Sequence, residues 1–271
     1  MTKSAGTSSL AAEIAAAARR PGAARVLVLD LDGTLAPIVA RRRAAKVPAA
    51  VLDALSGLRD HGWRVAIVTG RPLLEARRMV PVTGVAVFGS HGIEREGASR
   101  PPRSPRAAAR RAATIAREAR GFLRAFPGVE LERKPYGCAF HYRALRGHAR
   151  SRFLRELEAW LAERDTRGLE RLPGKGVLEL RPEGHGKGTV VGLWPAARNV
   201  RRDDRSFVAI GDDFADEELF AALDGRGLTV RVGPARRATI ARRRVFGTSA
   251  VARLLVALAG IGDEERHHER V

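Results

Sequence analysis

Val26-Leu27-Val28-Leu29-Asp30-Leu31-Asp32-Gly33-Thr34-Leu35 is an apolar run that breaks into two carboxylates one residue apart, then Gly and Thr. Four consecutive apolar residues, two of them Val, fit a strand buried on both faces, as in a parallel sheet. Asp30 and Asp32 then stand at its carboxyl end, the edge of an open α/β sheet where ligands bind. Side chains two apart on a strand share a face, although the turn at Gly33 can release Asp32 from that rule. One oxygen from each carboxylate suits a single hard cation such as Mg2+. The same residues also read as a strand ending in a polar D-G turn, and this segment alone does not choose between the two.

Working outward, strand-like and helix-like segments alternate. After Val26 to Asp30, apolar residues at helical spacing predict a helix over 48–60, and Arg64 to Val68 a second strand. A helix over 73–79 and a strand over 85–88 follow. This order implies a Rossmann-like parallel sheet with right-handed crossovers. It resumes with a strand at 207–210, a helix at 217–223, a strand at 228–232 and a closing helix at 251–261. In between, prolines over 101–105 mark a break. Helix, hairpin, helix, hairpin over roughly 106–181 then describe a small inserted α+β unit, with strands expected at 129–133, 137–142, 169–172 and 177–181. The expected division is an extension over 1–24, a core over 25–98 and 185–262, an insertion over 99–184 and a disordered tail over 263–271.

At 271 residues with 45% hydrophobic content, the chain can bury a sizeable core. No apolar stretch approaches the roughly 20 residues that span a bilayer. Residues 1–20 lack the basic-then-apolar plan of a secretory signal, and Cys138 is the only cysteine, so a cytoplasmic location is the default. The 49 Lys plus Arg against 30 Asp plus Glu leave a net charge of +19. Only Lys3, Lys46, Lys134, Lys175 and Lys187 are lysines, an Arg bias that looks like that of a GC-rich genome. Clusters at Arg41 to Arg43, Arg106 to Arg111, Arg201 to Arg205 and Arg242 to Arg244 are spread along the chain, and 5% aromatic content leaves few platforms for stacking bases. Specific nucleic-acid recognition is therefore not expected, whereas attraction of small anions is. No motif fixes an oligomeric state, and a monomer is the default.

Three more motifs fall at strand ends or helix starts. Thr69-Gly70-Arg71 offers a hydroxyl and backbone amides to phosphoryl oxygens. Gly186-Lys187-Gly188 opens a helical stretch and would set an ammonium against charge gathering in a transition state. Gly211-Asp212-Asp213-Phe214-Ala215-Asp216-Glu217 packs four acids into six residues. Such acids can cap a helix, but at the end of a buried strand they repel one another unless a cation joins them.

Taken in this order, D-L-D-G-T-L, T-G-R, G-K-G and G-D-D-x-x-D resemble the haloacid dehalogenase-like phosphatase superfamily. The resemblance implies that Asp30 is a nucleophile forming an aspartyl phosphate and Asp32 the general acid and base. It implies Mg2+ as cofactor, held by Asp30, the Asp32 carbonyl and Asp212, with Asp213 and Asp216 behind them. Thr69 and Lys187 correspond to the phosphate-binding hydroxyl and the neutralising lysine, Arg71 to a substrate-binding group, and the insertion to a C2-type cap.

Ser90 to Glu94 (S-H-G-I-E), Lys134 to Arg143 (K-P-Y-G-C-A-F-H-Y-R) and Gly174 to Pro182 (G-K-G-V-L-E-L-R-P) are similar to the trehalose-6-phosphate phosphatase family over residues 24 to 258. By that resemblance His91, Glu94, Lys134, Arg143, Lys175 and Glu179 bind the sugar, with trehalose 6-phosphate as the small-molecule substrate. Charged groups on paired strands can read sugar hydroxyls through charge-assisted hydrogen bonds. Lys175 and Glu179, four apart, would share a strand face, where a plain salt bridge is the alternative. Ala215 stands where the family commonly has Thr, so a hydroxyl near the acidic loop is missing. Another sugar phosphate, such as sucrose phosphate or a glycosyl phosphoglycerate, is the alternative substrate, and a nonhydrolytic polyanion binder the alternative of another class.

Overall fold

The computed structural model describes residues 3–4, 6–39, 44–97, 105–194, 204, 206–234 and 238–268. The Arg41 to Arg43 cluster, most of Arg201 to Arg205 and the proline break at 101–104 lie outside them. The chain divides into two compact units, Met1–Ala98 with Gly186–Val271, and Ser99–His185.

The larger unit is built on an eight-stranded sheet. Its strands are β1 (Lys3–Ser4), β2 (Val26–Leu29), β3 (Arg64–Val68), β4 (Ala86–Gly89), β5 (Glu94–Arg95), β10 (Phe207–Gly211), β11 (Leu228–Val232) and β12 (Arg243–Val245), numbered to leave β6 to β9 for the smaller unit. Their spatial order is β1-β12-β11-β10-β2-β3-β4-β5, parallel throughout except for β5 against β4. The period of two along β2 sends Leu27 and Leu29 into one apolar cluster and Val26 and Val28 into another on the opposite face. Strands β3 and β10 divide in the same way, which is why these segments read as continuous apolar runs. From β2 the chain proceeds outward through β3 and β4, and from β10 in the other direction through β11 and β12. Strands β2 and β10 are neighbours, so the switch point of the sheet, where a crevice opens at the strand ends, lies between Asp30 and Asp212.

Helices α1 (Thr7–Ala18), α2 (Ala49–Asp60) and α8 (Gly247–His268) pack together on one face. On the same face α3 (Leu73–Met79) packs beside β4, and α6 (Thr189–Leu193) and α7 (Phe214–Leu223) cover the other face. Two expectations are corrected. Residues 7–18 are not an extension, because Leu10 and Ile14 are fully buried and the alanines between them let α1 lie close to α8. Residues 263–268 are not a disordered tail but continue the last helix, whose Val251, Leu254, Leu255 and Leu258 anchor it in the core. Strand β12 escaped notice because Arg243 and Arg244 replace the apolar alternation. Arg243 pairs with Glu13 at 3.0 Å, and buried Arg244 donates to the Pro234 carbonyl at 2.7 Å, so this basic cluster is structural.

The smaller unit is a four-stranded antiparallel sheet in the order β6-β7-β9-β8, formed by β6 (Glu130–Arg133), β7 (Cys138–His141), β8 (Leu169–Gly174) and β9 (Val177–Pro182). Helices α4 (Arg106–Phe122) and α5 (Gly147–Ala162) supply Ala112, Ile115, Ala116, Phe153, Leu157 and Leu161 to a core with Cys138, Phe140 and Leu180. Helix α4 stops at Phe122 and a short 3-10 turn, Leu123–Ala125, completes the stretch expected to be helical. Burial, and then the charge of Glu179, push the Cys138 thiol up to about 12, so it is a packing group. The opposite sheet face carries charge, since Glu132 and Glu179 stand in register with Ala139 and Leu172 across the four strands and Arg181 stands across from Glu170.

Candidate active site

Asp30 follows β2 directly and still donates its backbone N–H to the Ile210 carbonyl at 3.0 Å. By alternation its side chain lies on the face of Val26 and Val28, where α6 and α7 pack. The Lys187 ammonium, just ahead of α6, donates to Asp30 Oδ1 and, at 2.8 Å, to Asp216 Oδ1. Asp216 lies in the first turn of α7 and is fully buried. Its second oxygen accepts the backbone N–H groups of Asp212 (2.8 Å) and Asp213 (2.9 Å). Asp213 caps the same helix by accepting from the Phe214 N–H at 3.0 Å. Gly211 is required here, because a Cβ on it would stand 2.1 Å from Asp216 Cγ.

Asp212 is brought to the first motif by a second close approach. Its carboxylate lies against Gly33, where a Cβ would sit 2.3 Å from Oδ2 and where φ is +88°. Asp30, Asp212 and Asp216, all buried, each offer a carboxylate oxygen within 4.8 Å of the others. This all-oxygen donor set suits a hard divalent cation, and the space left only by a glycine at 33 keeps Asp212 at the D-x-D loop. Both oxygens of Asp216 already accept hydrogen bonds, one from Lys187 and the other from two backbone amides. Burial, and next the charge of Asp216, raise the Asp30 carboxyl to about 7, against the opposing pull of Lys187. Against its own burial, Lys187 is held above its ordinary range by Asp216 and Asp30. Three buried acids around one ammonium are short of positive charge.

Arg71 is 2% exposed, and its guanidinium forks onto Asp32 at 2.6 and 2.7 Å and also reaches Glu75. Expected at the substrate, this side chain also holds Asp32 in place through that fork. Despite burial, Asp32 and Glu75 raise its pKa. Buried Thr69 accepts the Arg71 N–H at 3.2 Å through its hydroxyl and the His91 N–H at 2.9 Å through its carbonyl. The His91 ring lies against Gly70. Ser90 and His91 both hold left-handed backbone, φ 47° and 56°, a conformation that costs non-glycine residues on the order of 1 kcal/mol or more each. The Ser90 N–H to the Arg71 carbonyl (2.7 Å) and its hydroxyl to Glu94 (2.5 Å) fasten this turn to the T-G-R loop. Glu94 also accepts the Leu73 N–H at 3.2 Å, at the start of α3.

In the smaller unit Lys134 pairs with Glu179 at 2.5 Å. Lys175 does not share a strand with Glu179, because β9 begins at Val177 and Lys175 occupies the preceding turn. Its carbonyl accepts Arg143 Nη2 at 2.8 Å. Sequence reading passed over Glu132–His141 (2.9 Å) and Glu170–Arg181 (2.9 Å), which belong to the same charge-bearing face. Their signal was the period of two around Lys134 and Glu179.

The parallel sheet with its acidic switch point has the haloacid dehalogenase-like fold, matching a Bacteroides thetaiotaomicron phosphatase of that superfamily (19% identity, TM-score 0.54, covering 93% of this chain and 98% of that one). The chain belongs to the trehalose-phosphatase family, whose model matches residues 28–245. It is 30% identical over 241 residues to a probable trehalose-phosphate phosphatase of Sinorhizobium fredii, covering 86% of this chain and 87% of that protein. A solved trehalose-6-phosphate phosphatase related protein matches with TM-score 0.71 at 26% identity, over 89% of this chain and 99% of that one. An uncharacterised glycosyl hydrolase of Mycobacterium tuberculosis is 33% identical over 79% of this chain, which spans only 16% of its length. Among the described residues, no helix is long and apolar enough to cross a membrane.

Proposed function

We propose that the protein is a Mg2+-dependent phosphatase that hydrolyses trehalose 6-phosphate to trehalose and phosphate. The observation that carries this reading is the buried, charge-imbalanced set of Asp30, Asp212 and Asp216 around Lys187 at the sheet's switch point, with Asp32 beside it. Held by Asp30, Asp212 and the Asp32 carbonyl, Mg2+ supplies the screening that lets a carboxylate approach a phosphate dianion.

An Asp30 oxygen attacks phosphorus and the bond from phosphorus to the sugar oxygen breaks, leaving an aspartyl phosphate. Asp32 hands a proton to the departing sugar oxygen and then takes one from the water that attacks phosphorus, which frees Asp30. Arg71 orients Asp32 for both transfers. Lys187 offsets charge on the transferring group, and the Thr69 hydroxyl with the amides of its loop binds phosphoryl oxygens. Recognition of the disaccharide is assigned to Lys134, Arg143, Lys175 and Glu179, with His91 and Glu94 in the larger unit.

Phosphate release from a panel of sugar phosphates, with and without Mg2+, tests the reading. Trehalose 6-phosphate should be turned over with the highest kcat/KM and only with the metal. Indifference to it, with turnover of sucrose phosphate or a glycosyl phosphoglycerate, would replace the substrate and keep the chemistry.

A further inference from the structure

Arg231 is the second cation at the acidic loop, and the steps above do not use it. It stands in β11 directly across from Gly211 of β10 and is 2% exposed. By alternation it lies on the face opposite Val230 and Val232, under the first turn of α7. Its Nη1 donates to the Asp213 carbonyl at 3.0 Å and to Glu217 Oε1 at 2.7 Å. The other oxygen of Glu217 accepts the Ile240 N–H at 3.1 Å. A cation beneath a helix N-terminus opposes the helix dipole, so the dipole does not account for it. The Asp213 carbonyl and Glu217 do. Ala215, buried in the same turn, adds no polar atom to hold the loop.

We infer that Arg231, anchored by Glu217, is a positioning residue that fixes the Gly211–Asp213 backbone so that Asp212 presents its carboxylate to the divalent cation. This rests on the metal site proposed above. Two effects of Arg231 on the cation have opposite signs, and that makes the inference testable. As a charge, Arg231 repels a nearby cation, so its removal would tighten metal binding. As a clamp, it preorganises Asp212, so its removal weakens binding.

Calorimetric titration of Mg2+ into the metal-free protein, without substrate, separates the two. Arg231→Met should bind Mg2+ about tenfold more weakly, a loss on the scale of one hydrogen bond to a charged group. Arg231→Lys should recover most of the affinity, because an ammonium can donate to both acceptors. In turnover the Mg2+ concentration for half-activation should rise in Arg231→Met while KM for the sugar phosphate stays unchanged, a split that general destabilisation would not produce. Glu217→Gln keeps an acceptor for Arg231 and should stay within about threefold of the parent protein. If circular dichroism shows Arg231→Met to be unfolded, Arg231→Gln, too short to bridge both acceptors, takes its place with the same expectation. Unchanged or tighter Mg2+ binding in either variant overturns the clamp. Absence of Mg2+ binding in the parent protein instead overturns the metal site, so the two failures are distinguishable.

Discussion

Each unit carries a lysine against carboxylates, and the two clusters are built on opposite principles. Lys134 and Glu179 form a neutral, largely buried pair, each charge answering the other. Lys187 faces two acids directly, with the buried Asp212 close by, so in the larger unit's cluster three acids gather around one ammonium. Burying charge is costly, and a balanced pair limits that cost by itself. An unbalanced cluster persists only by binding a proton or a cation, which is why the imbalance marks the chemistry and a salt bridge alone does not.

Asp30→Asn tests the sharpest side of this contrast. Turnover should fall on the order of 10^4-fold or more, since the attacking oxygen is lost, while circular dichroism stays that of the parent protein. Undiminished phosphate release would remove Asp30 from the role of nucleophile. Asp212→Asn should lower turnover on the order of 10^3-fold, with higher Mg2+ restoring part of it. An unaltered Mg2+ requirement would show that Asp212 is not a ligand.

The balanced pair should respond differently. Lys134→Met alone leaves Glu179 without its cation and should cost about 3 kcal/mol in denaturant unfolding. Lys134→Met with Glu179→Leu should recover most of that stability without recovering KM for the substrate. If the double variant is as unstable as the single one, the pair is not the self-contained unit described.

The smallest effect concerns pH. Asp30 binds its proton more tightly in the folded chain, its pKa rising from the ordinary 3.8 to about 7. Through this group the metal-free protein loses stability as pH rises across that interval, because ionisation is the costly state. Asp30→Asn cannot ionise, so it should melt a few degrees above the parent protein at pH 8 and near it at pH 4. A constant difference between the two at all pH values would show that Asp30 does not titrate in that window.

Most of the candidate site was legible because each of its motifs terminates an apolar strand or opens a helix, and such edges converge in a parallel sheet. Thr69, Lys187, Asp212 and Asp216 are all placed by that rule. Arg231 was not, since an arginine in a chain so rich in arginine carries no signal until its neighbours are known, and Arg71 stood out in its motif while its fork onto Asp32 did not. Helix α1 was missed for a related reason: in an alanine-rich segment the apolar face is hardly distinguishable from the rest. Strand β12 hid behind two arginines whose charges are met by Glu13 and a backbone carbonyl.

The sequence by itself determined the parallel sheet and the acids at its edge, because alternation, strand ends and helix starts are local properties of the chain. Only the tertiary structure decided which charge answers which. It turned Arg71 onto Asp32, moved Glu179 from Lys175 to Lys134, committed Asp216 to Lys187 and set Arg231 under the acidic loop. Ion pairing depends on distances of a few ångströms between residues as far as 157 positions apart for Lys187 and Asp30 and 230 for Arg243 and Glu13, and no local pattern encodes them.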